Sequence, residues 1–337
     1  MTCTKKAKTK VSRRLVTVAA ISLLLFTLFI LSSCEPSAPA MNTADVTEYI
    51  EIESVVGLEL DEAFAILDAA GVEYELVISY EGERGKVLDI GFEGFEKDGT
   101  LSIEKGSTVK IYGNRRVVYL TFDDGPTRDN TMAIVDILEQ YGAKATFFVL
   151  GNRIGEYEDR IEYIYEKGHE IGCHSYSHDM VRDSAGYIYA SPEALVSEIE
   201  KYEQKLIAVL GEEAFSQMPK LFRFPGGSYS NGRLEDAEVP TYIDAVHNKG
   251  YTIYDWTILT NDAATDTMKE DETYEEFYLR SLEASLNKAK DTSMPLILLM
   301  HDQRRTRENL CAVLDYLVEQ GYSFGLLSDC PEYTFSK

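Results

Sequence analysis

Cysteine, histidine and tryptophan are scarce in this chain of 337 residues, which contains five, five and one of them. Beyond Cys34 only Cys173, Cys311 and Cys330 remain, and no two of these stand at the short spacing of a zinc finger. Three cysteines are also too few for a small disulfide scaffold. In an oxidising compartment Cys311 and Cys330 either form a bridge or stay buried thiols.

Positive charge is also in short supply, with 33 Lys and Arg against 57 Asp and Glu and a net charge of -24. The first 33 residues hold six of the basic residues and no acidic one, so the remainder stands at -30. This balance argues against nucleic acid and against electrostatic docking on anionic lipid. A hydrophobic content of 45% excludes a disordered chain, and the length suffices for two or three domains.

The N-terminus has the pattern of an export signal. A basic segment is followed by the apolar stretch Leu15 to Leu31 and then by Ser32-Ser33-Cys34. This pattern predicts a signal peptide over residues 1–33. The last residues resemble a bacterial lipobox, which predicts Cys34 as the lipid attachment site of a membrane-anchored lipoprotein. The alternative is an uncleaved membrane anchor. Either way the rest of the chain is expected outside the cytoplasm, with residues 34–48 as a tether.

Residues 49–113 predict a small α+β unit, in which one helix is followed by alternating strands. The unit resembles a PASTA domain in the segments Val56-Gly57-Leu58, Leu67-Asp68-Ala69-Ala70-Gly71 and Lys105-Gly106-Ser107-Thr108-Val109. Members of that family are associated with peptidoglycan recognition. A single copy is equally explained as a spacer between the membrane and the next domain.

Residues 116–337 alternate strand and helix patterns, which indicates βαβ units around a parallel sheet. About seven strands in this length favour a distorted or incomplete (β/α) barrel over the eight-unit form. A doubly wound sheet is the alternative, but no glycine-rich phosphate loop follows the first strand. The predicted strands are Val117 to Phe122, Ala145 to Leu150, Glu170 to Cys173, Leu221 to Phe224, Tyr251 to Trp256, Pro295 to Met300 and Ser323 to Leu327.

Polar side chains stand where these strands end, and the active sites of such barrels gather there. The residues concerned are Asp123, Asp124, His174, His178, Arg223, Asp255, Trp256, His301 and Asp302. Two histidines and one carboxylate commonly hold a zinc-like ion with a fourth position open for water. The pattern therefore predicts one divalent metal, zinc by preference, with a second carboxylate beside it that deprotonates the water.

The motifs in this region resemble those of the NodB-type polysaccharide deacetylases, carbohydrate esterase family 4. The resemblance rests on four segments: Thr121-Phe122-Asp123-Asp124-Gly125, His174-Ser175-x-x-His178, Arg223-Phe224-Pro225-Gly226-Gly227 and Leu299-Met300-His301. For the family's remaining motif the chain offers two candidates, Asp262-Ala263 and, just upstream, Asp255-Trp256.

The resemblance implies that Asp124, His174 and His178 hold the metal. It also implies that Asp123 is the general base and that His301 is the acid that protonates the leaving amine.

Other residues would support this chemistry. Arg223 would pair with Asp123, a task suited to a guanidinium fork. The Gly226 N–H would donate to the oxyanion. Asp262, or less favourably Asp255, would keep His301 charged.

Three neighbouring residues complete the expected site. Tyr229 and Trp256 are candidates to stack on sugar rings. Cys173 precedes the first metal-binding histidine and is either a ligand or a packing residue; strand alternation puts it on the face opposite His174 and favours packing.

Together these features predict a surface-anchored, metal-dependent N-deacetylase acting on an acetylated glycan, peptidoglycan before chitin-like oligomers. Two alternatives stay open. The first is an acetyl esterase that acts on O-acetylated polysaccharide. The second is a non-catalytic wall-binding lipoprotein, which the presence of both Asp123 and His301 disfavours.

Overall fold

The computed structural model describes residues 47–79, 84–114, 116–178, 181–182, 187–188, 191–228, 239–290 and 292–335. The predicted signal peptide, Cys34 and most of the tether lie outside these residues. No helix within the described ranges combines the length and hydropathy needed to cross a bilayer.

The first folded region, up to residue 113, contains one helix and two three-stranded sheets. Strand β1 pairs antiparallel with β5, which pairs with β4, while β6 lies between β2 and β3. The helix ends at Gly71 in the left-handed conformation, as expected for a glycine after the last turn. Leu67 of the helix and Val109 of a strand are among the fully buried residues of this region. The elements are β1 (Tyr49–Glu53), α1 (Leu60–Ala70), β2 (Glu73–Ile78), β3 (Val87–Gly91), β4 (Gly94–Lys97), β5 (Thr100–Glu104) and β6 (Thr108–Gly113).

The second region alternates strands with helices, as predicted. Its strands are β7 (Val117–Gly125), β8 (Thr146–Val149), β9 (Glu170–Cys173), β10 (Val181–Arg182), β11 (Tyr187–Ile188), β12 (Leu221–Phe222), β13 (Thr252–Ile253), β14 (Ile258–Leu259), β15 (Leu296–His301) and β16 (Ser323–Gly325). Its helices are α2 (Thr131–Gln140), α3 (Gly151–Ile154), α4 (Glu158–Glu166), α5 (Pro192–Leu210), α6 (Glu212–Gln217), α7 (Val239–Asn248), α8 (Tyr274–Ala289) and α9 (Arg304–Glu319).

The main sheet is an open, parallel barrel wall. Seven strands follow the order β13-β12-β9-β8-β7-β15-β14, and β16 pairs with the first half of β7. The predicted incomplete (β/α) barrel is confirmed, with one strand more than the predicted seven. The strand absent from the prediction is β14, which is only two residues long and follows β13 after four residues. So short a strand carries no periodicity of its own.

Alternation along β7 separates two apolar layers. Val118, Leu120 and Phe122 pack in the core beneath the helices. Val117 and Tyr119 point to the other face and pack inside the barrel. Asp123 continues the inward set, which brings its carboxylate to the mouth of the barrel at the carboxyl end of the strands.

Candidate active site

Asp123 and His301 stand side by side at the barrel mouth. They are register partners on the adjacent parallel strands β7 and β15. Asp123 is 3% exposed, and the imidazole of His301 keeps 20% of its surface in solvent. One apolar strand thus delivers a buried carboxylate and its neighbour delivers a histidine that a bound molecule can reach.

Asp124, His174 and His178 converge beside this pair. Their ligand atoms lie within 4.8 Å of one another. Oδ1 of Asp124 lies 3.5 Å from Nε2 of His174 and 3.6 Å from Nε2 of His178. Nδ1 of His174 lies 2.9 Å from the carbonyl oxygen of Arg223, which fixes Nδ1 as the donor and leaves Nε2 as a free ligand atom.

Strained backbone supports this convergence. Asp124, Ser175 and His178 adopt φ values of 68°, 66° and 59°, a region that non-glycine residues rarely occupy. Local contacts hold it in place, since the hydroxyl of Ser175 accepts a hydrogen bond of 3.0 Å from the His178 N–H and Arg153 donates to the Asp124 carbonyl. Three such residues within one cluster are typical of a functional site.

The cluster fits a divalent cation. Oδ1 of Asp124 is buried and has no hydrogen-bond partner among the described residues, although it faces two imidazole nitrogens. Ligand atoms of a tetrahedral zinc ion lie about 3.3 Å apart, because each bond is about 2 Å long. The two observed N···O separations are close to this value. A lone carboxylate oxygen held so close to two nitrogen lone pairs is best satisfied by a cation between them.

Arg223 orients Asp123 through one nitrogen only. Its Nη1 donates to Oδ1 of Asp123 at 2.8 Å and to the Thr121 hydroxyl at 2.7 Å. Nε and Nη2 donate to the carbonyl oxygens of Tyr254 and Asp255. Arg223 therefore pairs with Asp123 as the sequence predicted, while its other guanidinium nitrogens bind main chain.

His301 is held by Asp262. Its Nδ1 lies 2.9 Å from Oδ1 of that carboxylate, and its backbone N–H donates to Oδ2 at 2.7 Å. The Thr306 hydroxyl donates to the same Oδ2 at 2.5 Å. Burial of the imidazole works against its charge, but the hydrogen bond and negative charge of Asp262 outweigh this and raise the pKa of His301 to about 9. The ring is therefore cationic at neutral pH, with Nε2 free to donate.

Asp255 makes different contacts. Its carboxylate accepts hydrogen bonds from the Ser228 N–H at 2.8 Å, the Ser228 hydroxyl and the Phe335 N–H at 2.6 Å. Of the two candidates, the one in contact with His301 is Asp262. Asp262 lies just beyond β14, the strand that pairs with β15, which explains its position.

The remaining predicted residues are distributed around this centre. Gly226 is exposed in the loop after β12, with a φ of 77°, and Trp256 is half-buried after β13. Tyr229 lies outside the described residues. Cys173 is a free, fully buried thiol in the apolar core, which agrees with the packing role. Cys330 is also a free thiol, so it forms no bridge with Cys311.

Asp302 is one of the polar residues at the strand ends, but the sequence predicted no role for it. Asp302 follows His301, is 2% exposed and accepts hydrogen bonds from the hydroxyls of Thr127, at 2.8 Å, and Thr131. Its N–H donates to the Asp123 carbonyl at 2.8 Å. Asp302 thus ties the loop after β7 to the end of β15. Asp302 could be singled out in the sequence because it follows His301, whereas no motif pointed to Thr127 and Thr131.

A cation site, a buried carboxylate and a cationic histidine at the mouth of an open (β/α) barrel define a metal-dependent hydrolase. Comparison with known proteins gives the family. The sequence profile of the family described as "Polysaccharide deacetylase" matches residues 110–242. A peptidoglycan-N-acetylglucosamine deacetylase of Bacillus cereus is 32% identical over 217 residues, which cover 62% of this chain and 68% of that protein.

Two further proteins agree. A second peptidoglycan-N-acetylglucosamine deacetylase of Bacillus cereus is 28% identical and covers 67% of this chain and 93% of its own length. A CE4 esterase of Streptococcus mutans with a solved structure is 27% identical with a TM-score of 0.53, over 63% of this chain and 85% of that one. The chain belongs to the polysaccharide deacetylase family, and the NodB-type resemblance is confirmed.

Proposed function

We propose that this chain removes N-acetyl groups from the amino sugars of peptidoglycan. The observation that carries the proposal is the register pairing of Asp123 with His301 beside the Asp124, His174 and His178 cluster. This arrangement offers a base and an acid next to one cation site. The two Bacillus cereus relatives are peptidoglycan-N-acetylglucosamine deacetylases by name, which supports peptidoglycan over other acetylated glycans.

The metal would be held by Asp124, His174 and His178. When bound, a divalent cation lowers the pKa of water and polarises an acetyl carbonyl. Asp123 accepts the proton of the attacking water, and its other oxygen stays hydrogen-bonded to Arg223. That bond fixes the orientation of the carboxylate.

Departure of the amine needs a proton, because an amide anion is a very poor leaving group. His301 supplies it from Nε2, while Asp262 holds Nδ1 and fixes the ring orientation. The Gly226 N–H has no hydrogen-bond partner among the described residues, so it is available to donate to the developing oxyanion. Trp256 lies nearby as a surface for the sugar ring, and Tyr229 is proposed for the same task.

Acetate release tests the proposal. The purified protein, loaded with zinc, is given peptidoglycan, N-acetylglucosamine oligomers and acetylated xylan, each with and without chelator. We expect release from the first two substrates and loss of activity with chelator. Release from xylan alone would favour an O-acetyl esterase, and release from none of the three would favour the wall-binding alternative.

We propose further that the chain is anchored outside the cytoplasm by a lipid on Cys34. The basic and apolar residues before Ser32-Ser33-Cys34 support this. Incorporation of labelled palmitate into the wild type but not into Cys34→Ala is expected. Equal labelling of both would exclude the lipoprotein.

The unit over residues 49–113 is proposed as a PASTA-like module that binds the wall or spaces the enzyme from the membrane. Deleting residues 34–113 should reduce co-sedimentation with insoluble peptidoglycan if the module binds it. An unchanged sedimented fraction would leave the spacer role.

A further inference from the structure

The C-terminal segment, residues 326–335, runs through the inside of the open barrel. Leu327 and Cys330 are buried in the interior cluster with Tyr119 and Phe148. The N–H groups of Leu327 and Ser328 donate to the Glu170 carboxylate at 3.0 and 3.2 Å. A complete barrel fills its interior with side chains from its own strands. Here the C-terminal segment supplies part of that filling.

The segment then runs alongside the chain that follows β13. Tyr333 forms a parallel bridge with Tyr254, and its carbonyl accepts a hydrogen bond of 2.7 Å from the Asp255 N–H. The Phe335 N–H donates to Oδ2 of Asp255 at 2.6 Å. The last described residue is thereby fixed at the catalytic end of the barrel.

Phe335 contacts the loop that carries the proposed oxyanion donor. A Cβ atom on Gly227 would lie 2.6 Å from the Phe335 ring, so this ring packs directly on the glycine backbone. The ring also meets Trp256 edge to face, with centroids 4.9 Å apart. Gly227 adopts a φ of 89°, a backbone conformation that favours glycine. Because glycine has no side chain of its own to pack, the Phe335 ring supplies the packing at this point of the loop.

The same segment supports Arg223. The Tyr254 and Asp255 carbonyls that accept from Arg223, at 2.8 and 3.1 Å, belong to the residues that pair with Tyr333. Oδ1 of Asp255 also accepts a hydrogen bond from the Ser228 N–H. One segment therefore braces the Gly226 loop on one side and the partner of Asp123 on the other.

We infer that Phe335 is a positioning residue for deacetylation, which sets the Gly226 N–H and, through residues 254–255, the guanidinium of Arg223. The inference rests on the proposed function for its kinetic readout only. Phe335 touches neither the metal ligands nor His301 in the described contacts. Its removal should therefore change geometry at the oxyanion side while leaving metal binding intact.

The test compares Phe335→Ala, Phe335→Leu and Phe335→Tyr with Phe95→Ala, an exposed phenylalanine of the first region. We expect kcat to fall roughly tenfold in Phe335→Ala, because small misplacements of catalytic groups are costly, with zinc content unchanged. Phe335→Tyr should restore most of kcat. Phe95→Ala should match the wild type.

A second readout needs no turnover. In protein labelled with ¹⁵N-glycine, the amide resonances of Gly226 and Gly227 should move in Phe335→Ala and stay in place in Phe95→Ala. Unmoved resonances with full kcat in a folded Phe335→Ala protein would overturn the inference. If that variant does not fold, full kcat and unmoved resonances in Phe335→Leu overturn it. Absence of deacetylation by the wild type would refute the proposed function, and the resonances would still decide the positioning role.

Discussion

Nδ1 of His301 lies 2.9 Å from Oδ1 of Asp262, and this contact sets the charge of the proposed acid. The ordinary pKa of the imidazole is 6.5, and the structure raises it to about 9. The cationic form is therefore populated throughout the neutral range. The carboxylate agrees with this: although burial acts in the opposite direction, the hydrogen bond with His301 lowers the pKa of Asp262.

Asp262→Asn should shift the pH dependence of kcat. A raised pKa means that the acid stays protonated as the pH rises, so the loss of its proton should set the alkaline limb of activity in the wild type. A bound cation repels the imidazolium and will place this limb below 9. Without the Asp262 charge the limb should move down by at least about one pH unit. The measurement is kcat against pH for the zinc-loaded enzymes.

Asp255→Asn serves as the matched control for that experiment, because Asp255 is equally buried but contacts Ser228 and Phe335. It should leave the alkaline limb in place even if it lowers the rate. A limb that moves with Asp255 and not with Asp262 would contradict the assignment. The stabilising contribution of the raised His301 pKa is complete below pH 6.5 and is lost as the pH rises through about 9, whereas the contribution of the lowered Asp262 pKa is lost as the pH falls.

Asp123→Asn should separate metal binding from turnover. The amide keeps the shape of the carboxylate but accepts no proton, and Asp123 is absent from the ligand cluster. We expect full zinc content by elemental analysis and a loss of acetate release of at least about 100-fold. Asp124→Asn, one residue away, should instead lose zinc on dialysis. Unchanged acetate release by Asp123→Asn would remove the base from the mechanism.

Much of the site followed from the sequence, for a simple reason. Asp123, His174, Arg223 and His301 each stand at or just after a strand end, and parallel strands bring their carboxyl ends to one edge. Local order along the chain was therefore enough to predict their meeting.

The choice between Asp255 and Asp262 did not follow, because it depends on β14, a strand of two residues whose pairing with β15 leaves no periodic pattern. The path of residues 326–335 inside the barrel depends on contacts between distant parts of the chain, such as Tyr333 with Tyr254. No local pattern encodes such a contact.

Arg223 and Asp123 should be energetically coupled. Both side chains are almost fully buried, and Arg223→Met would leave the carboxylate without its charged partner. Breaking one side of a buried pair costs about 3–5 kcal/mol. The double variant Arg223→Met with Asp123→Asn should lose less stability than the sum of the two single variants. Urea unfolding with chelator measures all four proteins without a metal contribution.

The control for this cycle is Arg304→Met, whose guanidinium is exposed and pairs with Glu308 at the surface. Its unfolding midpoint should stay close to that of the wild type, because exposed pairs contribute little. Strict additivity of the Arg223 and Asp123 changes would show that the guanidinium is held by main chain alone.

Cys173 should be inert whether or not metal is bound. Burial raises the pKa of this thiol, and its side chain packs in the apolar core on the face opposite His174. Because the thiolate is the reactive form, alkylation in the folded protein should be at least about tenfold slower than after unfolding.

Cys330, whose pKa burial also raises, is the internal comparison. Peptide mass mapping after iodoacetamide treatment gives both rates, with zinc and with chelator. A Cys173 that becomes reactive on chelation while Cys330 stays protected would make Cys173 a ligand and overturn the packing role.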